Sequence, residues 1–355
     1  MLIGQKISFG LILLVVFGLE TSVFAHSDTD WREDKKAFES HRTSKVPVEP
    51  IRLLPTESPT EPPTEPLPER KLKANVEFEA TKKFLIEKLR IFSGVDSVVL
   101  SGASVKVTER KSLNGKDAAR ALLREEFTKL GFVTSIQSYA SNGKNFIAEK
   151  LGVDPSRVVI LSAHIDSVGN AGADDNGSGV VGALSVAKLL KDLKFTYTLR
   201  FVGFDEEEIG LVGSTQYLKS LTTGQRNQIV GLINFEMLAY NARKDGAFHV
   251  IDCARPDSIS LSESVLRAVK TQELPLRRSA ACTDRSDHSA FWKAGIPAIV
   301  ISQNFFGGDS NPCYHKACDQ VSDKLNFDYM TNIVLGVRGA VAEILIPASR
   351  ITSRR

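Results

Sequence analysis

The charge of this chain has no strong sign. Its 355 residues carry 45 Lys and Arg against 42 Asp and Glu, a net charge of +3. So mild a balance gives no argument for a nucleic-acid or anionic-surface partner. A long hydrophobic run is also missing. The most apolar stretch, Ile7 to Leu19, falls short of the ~20 residues of a membrane span. There is no internal repeat. Only four cysteines occur, and none follows the small residues near position 25, which argues against a lipid-anchored exported protein.

The apolar stretch instead fits a targeting signal over residues 1–25. Lys6 gives its positive start, and Val23-Phe24-Ala25 resembles a cleavage site; the alternative is an uncleaved anchor. The expected location is therefore secreted or periplasmic, with no stable membrane association after cleavage. Residues 26–69, including VPVEPIRLLPTESPTEPPTEPLPER, are rich in Pro, Thr and Glu and read as an extended propeptide or linker. Residues 70–349 carry the folded pattern, and 350–355 form a short basic tail.

Within 70–349 the period of apolar residues alternates. Val76 to Phe92 predicts an amphipathic helix, and Gly115 to Leu130 another, closed by Gly131. FVTSIQSYA and KNFIAEKLG predict strands joined by a turn at Ser141-Asn142-Gly143. RVVILSAHI is apolar enough for a strand buried on both faces. Helix Val180–Leu193, strand YTLRFVGF, helix Leu211–Leu221, strands QIVGLINF, AFHVIDC and PAIVISQ, and a last helix Phe327–Ile346 follow. The pattern predicts a single α/β domain: a mixed, mainly parallel sheet with helices on both faces.

Five residues follow apolar runs or open Gly-rich loops: His164, Asp175, Glu208, Glu236 and His315. Sites in open α/β sheets form at the carboxyl ends of strands, and imidazole with carboxylate suits zinc. Read with the neighbouring Glu207, the set predicts a hydrolase with two zinc ions. Asp166, two residues after His164, is placed to fix the imidazole through a hydrogen bond. Asp175 in AGADDNGSG is the candidate bridge between two metals, although a plain polar turn with Ser178 as helix cap reads equally from the local sequence. In FDEEEIG, Glu207 is assigned as general base and Glu208 as metal ligand; a solvated charge run is the ordinary alternative. Cys313 and Cys318 flank His315. They read as a disulfide holding the imidazole or as zinc thiolates, and export favours the disulfide. Cys253 and Cys282 are left for a second bridge that spacing does not establish.

Taken in order, H-I-D, G-A-D-D-N-G-S-G, E-E-I-G-L-V-G-S, F-E-M, S-D-H-S-A-F-W-K-A-G-I-P and C-Y-H-K-A-C-D resemble the bacterial co-catalytic zinc aminopeptidases, close to the streptomycete leucyl type, from about residue 72 to 346. The resemblance implies the zinc exopeptidase fold and cleavage of the N-terminal peptide bond of substrates with free N-termini, with preference for apolar first residues. It implies one zinc on His164 and Glu236, a second on Glu208 and His315, and Asp175 between them, with a strained cis peptide between Asp174 and Asp175. At Glu236 relatives often have Asp. The Tyr314 hydroxyl is implied as oxyanion donor. Glu207, Glu236 and the backbone of Arg285 are implied near the substrate ammonium. Met237, Phe305 and Phe306 are candidate pocket walls, and Asp287 and His288 candidate supports. A glutaminyl cyclase-like acyltransferase shares the fold, but those enzymes resemble a Trp-His pairing where this chain has Tyr314-His315. A two-domain deacylase or carboxypeptidase needs an inserted domain between Glu236 and His315, for which there is no room. A metal-free binding protein predicts missing ligands, and none is missing.

Overall fold

In a computed structural model, residues 67–139 and 142–347 are described. The stretch read as a targeting signal, nearly all of the Pro-rich stretch, Ser141 and the basic tail lie outside them. The first strands are a small antiparallel pair, β1 (Val98–Leu100) and β2 (Ala103–Val105). The main sheet holds β3 (Val133–Tyr139), β4 (Gly143–Lys150), β5 (Asp154–His164), β6 (Tyr197–Phe204), β7 (Ile229–Glu236), β8 (Ala247–Ile251), β9 (Arg277–Ser279) and β10 (Ala298–Gln303). Their order is β3-β4-β6-β5-β7-β10-β8-β9. The central β6, β5, β7 and β10 run parallel, while β3 and β4 join antiparallel at one side and β8 pairs antiparallel with β10.

The near-continuous apolar runs follow from burial on both faces. Along β5, Val159, Leu161 and Ala163 enter a large core, while Val158 and Ile160 enter a smaller one. Phe201 of β6 points into the former and Phe204 into the latter. The large core is closed by α1 (Leu67–Phe92), α2 (Leu113–Lys129), α3 (Gly179–Leu190), α6 (Ile259–Thr271) and α8 (Phe327–Leu345). Phe127 of α2 stacks on Phe201 at 4.7 Å between centroids, the type of aromatic pair that adds about 0.5–1.5 kcal/mol to area burial. The small core is closed by Tyr217 and Leu218 of α4 (Val212–Ser220) and Phe291 of α7 (His288–Lys293). A short α5 spans Thr223–Asn227.

The described residues therefore form a single α/β domain with a mixed sheet between helices. Several boundaries differ from the sequence reading. Helix α1 begins at Leu67, nine residues before Val76, so its first turn falls inside the stretch read as a linker. Val76 itself is exposed; the apolar face starts with Phe84 and Leu85. Helix α3 ends at Leu190, since Phe195 and Thr196 already turn back toward the sheet. No helix among the described residues is long and apolar enough to cross a membrane.

Parallel register brings the strand ends together. His164 lies opposite Phe204, Ser162 opposite Asn234, and Ser302 opposite Glu236. The carboxyl ends of β5, β6, β7 and β10 thus share one rim, the position where loops of such sheets build sites.

Candidate metal centre

The turn Ala173–Ser178 carries two adjacent acids with opposite surroundings. Asp174 is consumed by the protein. Its carboxylate accepts from Ser178 Oγ at 3.2 Å, Ala239 N at 3.1 Å, and Gln303 Nε2 and Asn311 Nδ2 at 2.8 Å each. Ser178 serves this network, and its side chain does not cap α3. Asp175 faces the rim. Its backbone N–H and that of Asp174 donate to the two oxygens of Asp319, at 3.1 and 2.9 Å. The cis peptide lies at Asp175–Asn176, one bond later than the sequence reading placed it. Asp319 fixes the amides of 174 and 175 as a unit, and the Asn176 side chain is fixed separately by Phe235 O, Gly179 N and Met237 N. The junction between the two anchored pieces is where the chain turns.

The acids after β6 also divide. Asp205 is fully buried and pairs with Lys116 at 2.9 Å and Arg120 at 3.0 Å, both on α2. That anchor leaves Glu207 and Glu208 to face the rim. Their backbone N–H groups each donate to one oxygen of Asp166, both at 3.2 Å, and the Asp166 carboxylate lies 3.4 Å from His164 Nδ1. Asp166 therefore ties the imidazole to the acid loop.

Two clusters meet at Asp175. Its Oδ1 lies 3.3 Å from His164 Nε2, which is 3.4 Å from Glu236 Oε1. Its Oδ2 lies 3.2 Å from His315 Nε2, which is 3.0 Å from Glu208 Oε2. Two atoms bound to one zinc at about 2.05 Å and tetrahedral angles lie about 3.3 Å apart. Both clusters thus have the spacing of atoms around a common ion, and their nitrogen-oxygen donor set suits zinc. One ligand atom each of His164, Asp175 and Glu208 fit within 4.8 Å.

Electrostatics agree with this donor set. Burial pushes the Glu208 carboxyl up, and the Asp175 charge adds to the shift. Burial also pushes Glu207 well above the usual range, with Glu236, Asp287 and Glu208 adding repulsion against the opposing charge of His164. Burial disfavours charge on His315, yet hydrogen bonds to Asp175 and Glu208 lift it to about 10. Crowded carboxylates draw in positive charge, and a dication satisfies that demand.

Glu236 is held from behind. Ser286 Oγ donates to its Oε2 at 2.7 Å, Asn234 Nδ2 donates to Ser286 Oγ at 2.9 Å, and Ser162 Oγ donates to Asn234 Oδ1 at 2.7 Å. Asp287 is fully buried close by, and that burial raises its carboxyl to about 7. His288 donates from Nε2 to Thr283 O at 2.9 Å; burial lowers it to about 4, so it stays neutral.

The clusters form the floor of a cavity that opens to solvent. Met237, Ile251, Val300, Phe305 and Phe306 give it an apolar wall, and Arg285 and Tyr314 also line it. Tyr314 stacks on the His315 imidazole with centroids 3.8 Å apart. Burial raises its phenol far above the ordinary range, so the hydroxyl keeps its proton and remains a donor.

Cys313 and Cys318 form a disulfide around His315, and Cys253 and Cys282 form a second, next to Thr283 and Arg285. Bridges thus fasten two walls of one cavity. A Cys313→Ser/Cys318→Ser variant should lose about 2 kcal/mol of stability, the contribution of closing so short a loop. Thermal denaturation with and without zinc checks this; the larger loss is expected with zinc, because the loop carries His315.

All five predicted ligands converge, together with Glu207, Tyr314, Asp166, Asp287, Arg285 and Met237. The sequence reading missed Asp319, Arg110 and the Ser162–Asn234–Ser286 chain. It also missed His249, which donates from Nδ1 to Ser279 O and accepts Phe306 N at Nε2. Asp319 had one signal, its place directly after Cys318. The others had none, because their partners are backbone groups or side chains distant in sequence.

The family model described as Peptidase family M28 matches residues 145–338. Leupeptin-inactivating enzyme 1 of Streptomyces exfoliatus is 29% identical over 230 residues, 59% of this chain and 51% of that protein. Leucine aminopeptidase 2 of Trichophyton equinum is 35% identical over 189 residues, 48% of this chain and 38% of that protein. The chain thus spans about half or less of the length of these relatives. Among solved structures, a zinc aminopeptidase from Bacillus subtilis is 26% identical with a TM-score of 0.53, covering 58% of this chain and 52% of that one. A glutaminyl cyclase from Macrostomum lignano, 19% identical with a TM-score of 0.62 over 77% of this chain and 94% of that one, shares the fold.

Proposed function

Because this chain belongs to peptidase family M28, we propose that it is a secreted, zinc-dependent aminopeptidase that holds two zinc ions and releases apolar residues from free N-termini. The observation that carries this reading is the pair of three-ligand clusters sharing Asp175. His164 and Glu236 would hold one ion, Glu208 and His315 the other, with one Asp175 oxygen for each. Bound zinc supplies Lewis acidity toward a carbonyl and toward water.

The side chains of this chain do the rest. Glu207 lines the cavity beside both clusters without belonging to either, a carboxylate left free to bind a proton. That suits it to take one from the attacking water and hand it to the departing amine. Tyr314 lines the cavity as a protonated phenol and donates toward the oxygen that gains charge. Carboxylates of Glu207 and Glu236, with the backbone of Arg285, offer acceptors for a substrate ammonium. The wall of Met237, Ile251, Phe305 and Phe306 receives an apolar first side chain. Two disulfides among the described residues support an oxidising destination.

A release assay over aminoacyl and N-acetylated peptides tests the proposal. Leucyl and other apolar substrates should be cleaved, while acetylation should abolish turnover because it removes the ammonium. Cleavage of blocked peptides would reject the restriction to N-termini. Loss of ammonia from N-terminal glutamine, without hydrolysis, would instead support acyl transfer.

A further inference from the structure

Arg110 lies between β2 and α2 and is wholly buried. Among the described residues no carboxylate is within ion-pair distance of it. A buried charge left in this way is costly unless its donors are satisfied. Here they are satisfied by backbone. Nε donates to Ile165 O at 2.8 Å, Nη1 to Ala171 O at 2.5 Å and Phe92 O at 3.3 Å, and Nη2 to Gly172 O at 2.8 Å. The guanidinium also covers the Phe92 ring, 4.7 Å from its centroid. Burial lowers its pKa to about 10, while the charges of Asp319, Asp166, Asp175 and Glu208 act to raise it. It is a cation at neutral pH.

The carbonyls it holds are not arbitrary ones. Ile165 directly follows His164, and Gly172 directly precedes the turn that carries Asp175. One planar fork therefore grips both ends of the connection between a ligand of one cluster and the carboxylate shared by both. Ser167 adds to the grip: its Oγ accepts the backbone N–H of Arg110 at 3.1 Å and donates to Asn170 O at 3.0 Å. Space is used closely as well. A Cβ on Gly172, whose φ is +55°, would lie 2.5 Å from both Arg110 Nη2 and Asp175 O. Lysine has a similar reach and charge but concentrates its donors at one point, so it cannot hold carbonyls this far apart.

We propose that Arg110 is a positioning residue for the metal pair: its fork sets the distance between the His164 imidazole and the Asp175 carboxylate, and so the fit of both ions. This rests on the metal reading of the site. The test is zinc affinity, measured by chelator competition, alongside Tm. The proteins are the unaltered chain, Arg110→Lys, Ser167→Ala, and a core control in α8, Val341→Ala. Arg110→Lys is expected to lose about 10- to 100-fold in zinc affinity, the usual cost of removing a group that orients metal ligands. Val341→Ala should lose Tm and keep its affinity. Ser167→Ala keeps the charge and should show a smaller loss of affinity in the same direction, and it carries the test if Arg110→Lys does not fold. Wild-type affinity in a folded Arg110→Lys, or in Ser167→Ala when Arg110→Lys does not fold, overturns the proposal. Failure of the unaltered chain to bind zinc would overturn the metal reading itself, and this inference with it.

Discussion

Glu207→Gln is expected to lower kcat by about 10²- to 10⁴-fold, the range contributed by a positioned acid-base group. Gln is nearly isosteric and keeps the backbone N–H that donates to Asp166. Neither cluster uses the Glu207 carboxylate, so zinc content and Tm should stay near those of the unaltered protein. The substitution removes only the ability to take and return a proton. KM should change less than kcat, although the side chain also faces the proposed ammonium position. Turnover within a few-fold of the unaltered protein would reject Glu207 as the base, and loss of zinc would show that it is a ligand instead.

Asp175→Ala should have the other large effect, and its form differs from that of any other ligand substitution. The two oxygens of Asp175 serve separate clusters. Removing them takes each from three protein groups to two, so both ions should be lost together. His315→Ala leaves His164, Glu236 and Asp175 in place and should keep one ion. Activity should fall by about 10³-fold or more in Asp175→Ala, since a Lewis acid contributes several kcal/mol. Retention of one tightly held ion in Asp175→Ala would show that the carboxylate does not bridge. Equal metal loss in the two variants would show that the clusters are not separable.

The parts of this architecture that were legible in the sequence share one property: a strong local signal. RVVILSAHI is apolar throughout because β5 has a core on either face, and its one terminal imidazole is conspicuous for that reason. Glu236 stands out in the same way at the end of β7. Helices α6 and α7 and strand β9 were not placed. Strand β9 is three residues, Arg-Arg-Ser, with no apolar pattern, and α7 spans only six residues. Helix α6 did carry a pattern, with Leu261, Val265, Ala268 and Val269 buried, but it sits in a segment dominated by the motifs around it.

The candidate ligands were legible for a related reason. Imidazoles and acids at strand ends are few, and they occur here in an ordered series of motifs. What holds them was hidden. Arg110 acts on four backbone carbonyls, and Ser286 reaches Glu236 from 50 residues away in sequence. Side chains that bind backbone or distant hydroxyls leave no spacing rule to read. The same is true of the division between Asp174 and Asp175. The two are identical in type and adjacent, and only the donors supplied by Ala239, Gln303 and Asn311 turn one inward and leave the other facing the cavity.

Metal analysis of the purified, dialysed full chain tests the shared-carboxylate centre most directly. Elemental analysis against protein concentration should find two zinc ions per chain, both removed by a strong chelator and both restored by zinc together with activity. One ion per chain, or none with activity intact, would contradict it.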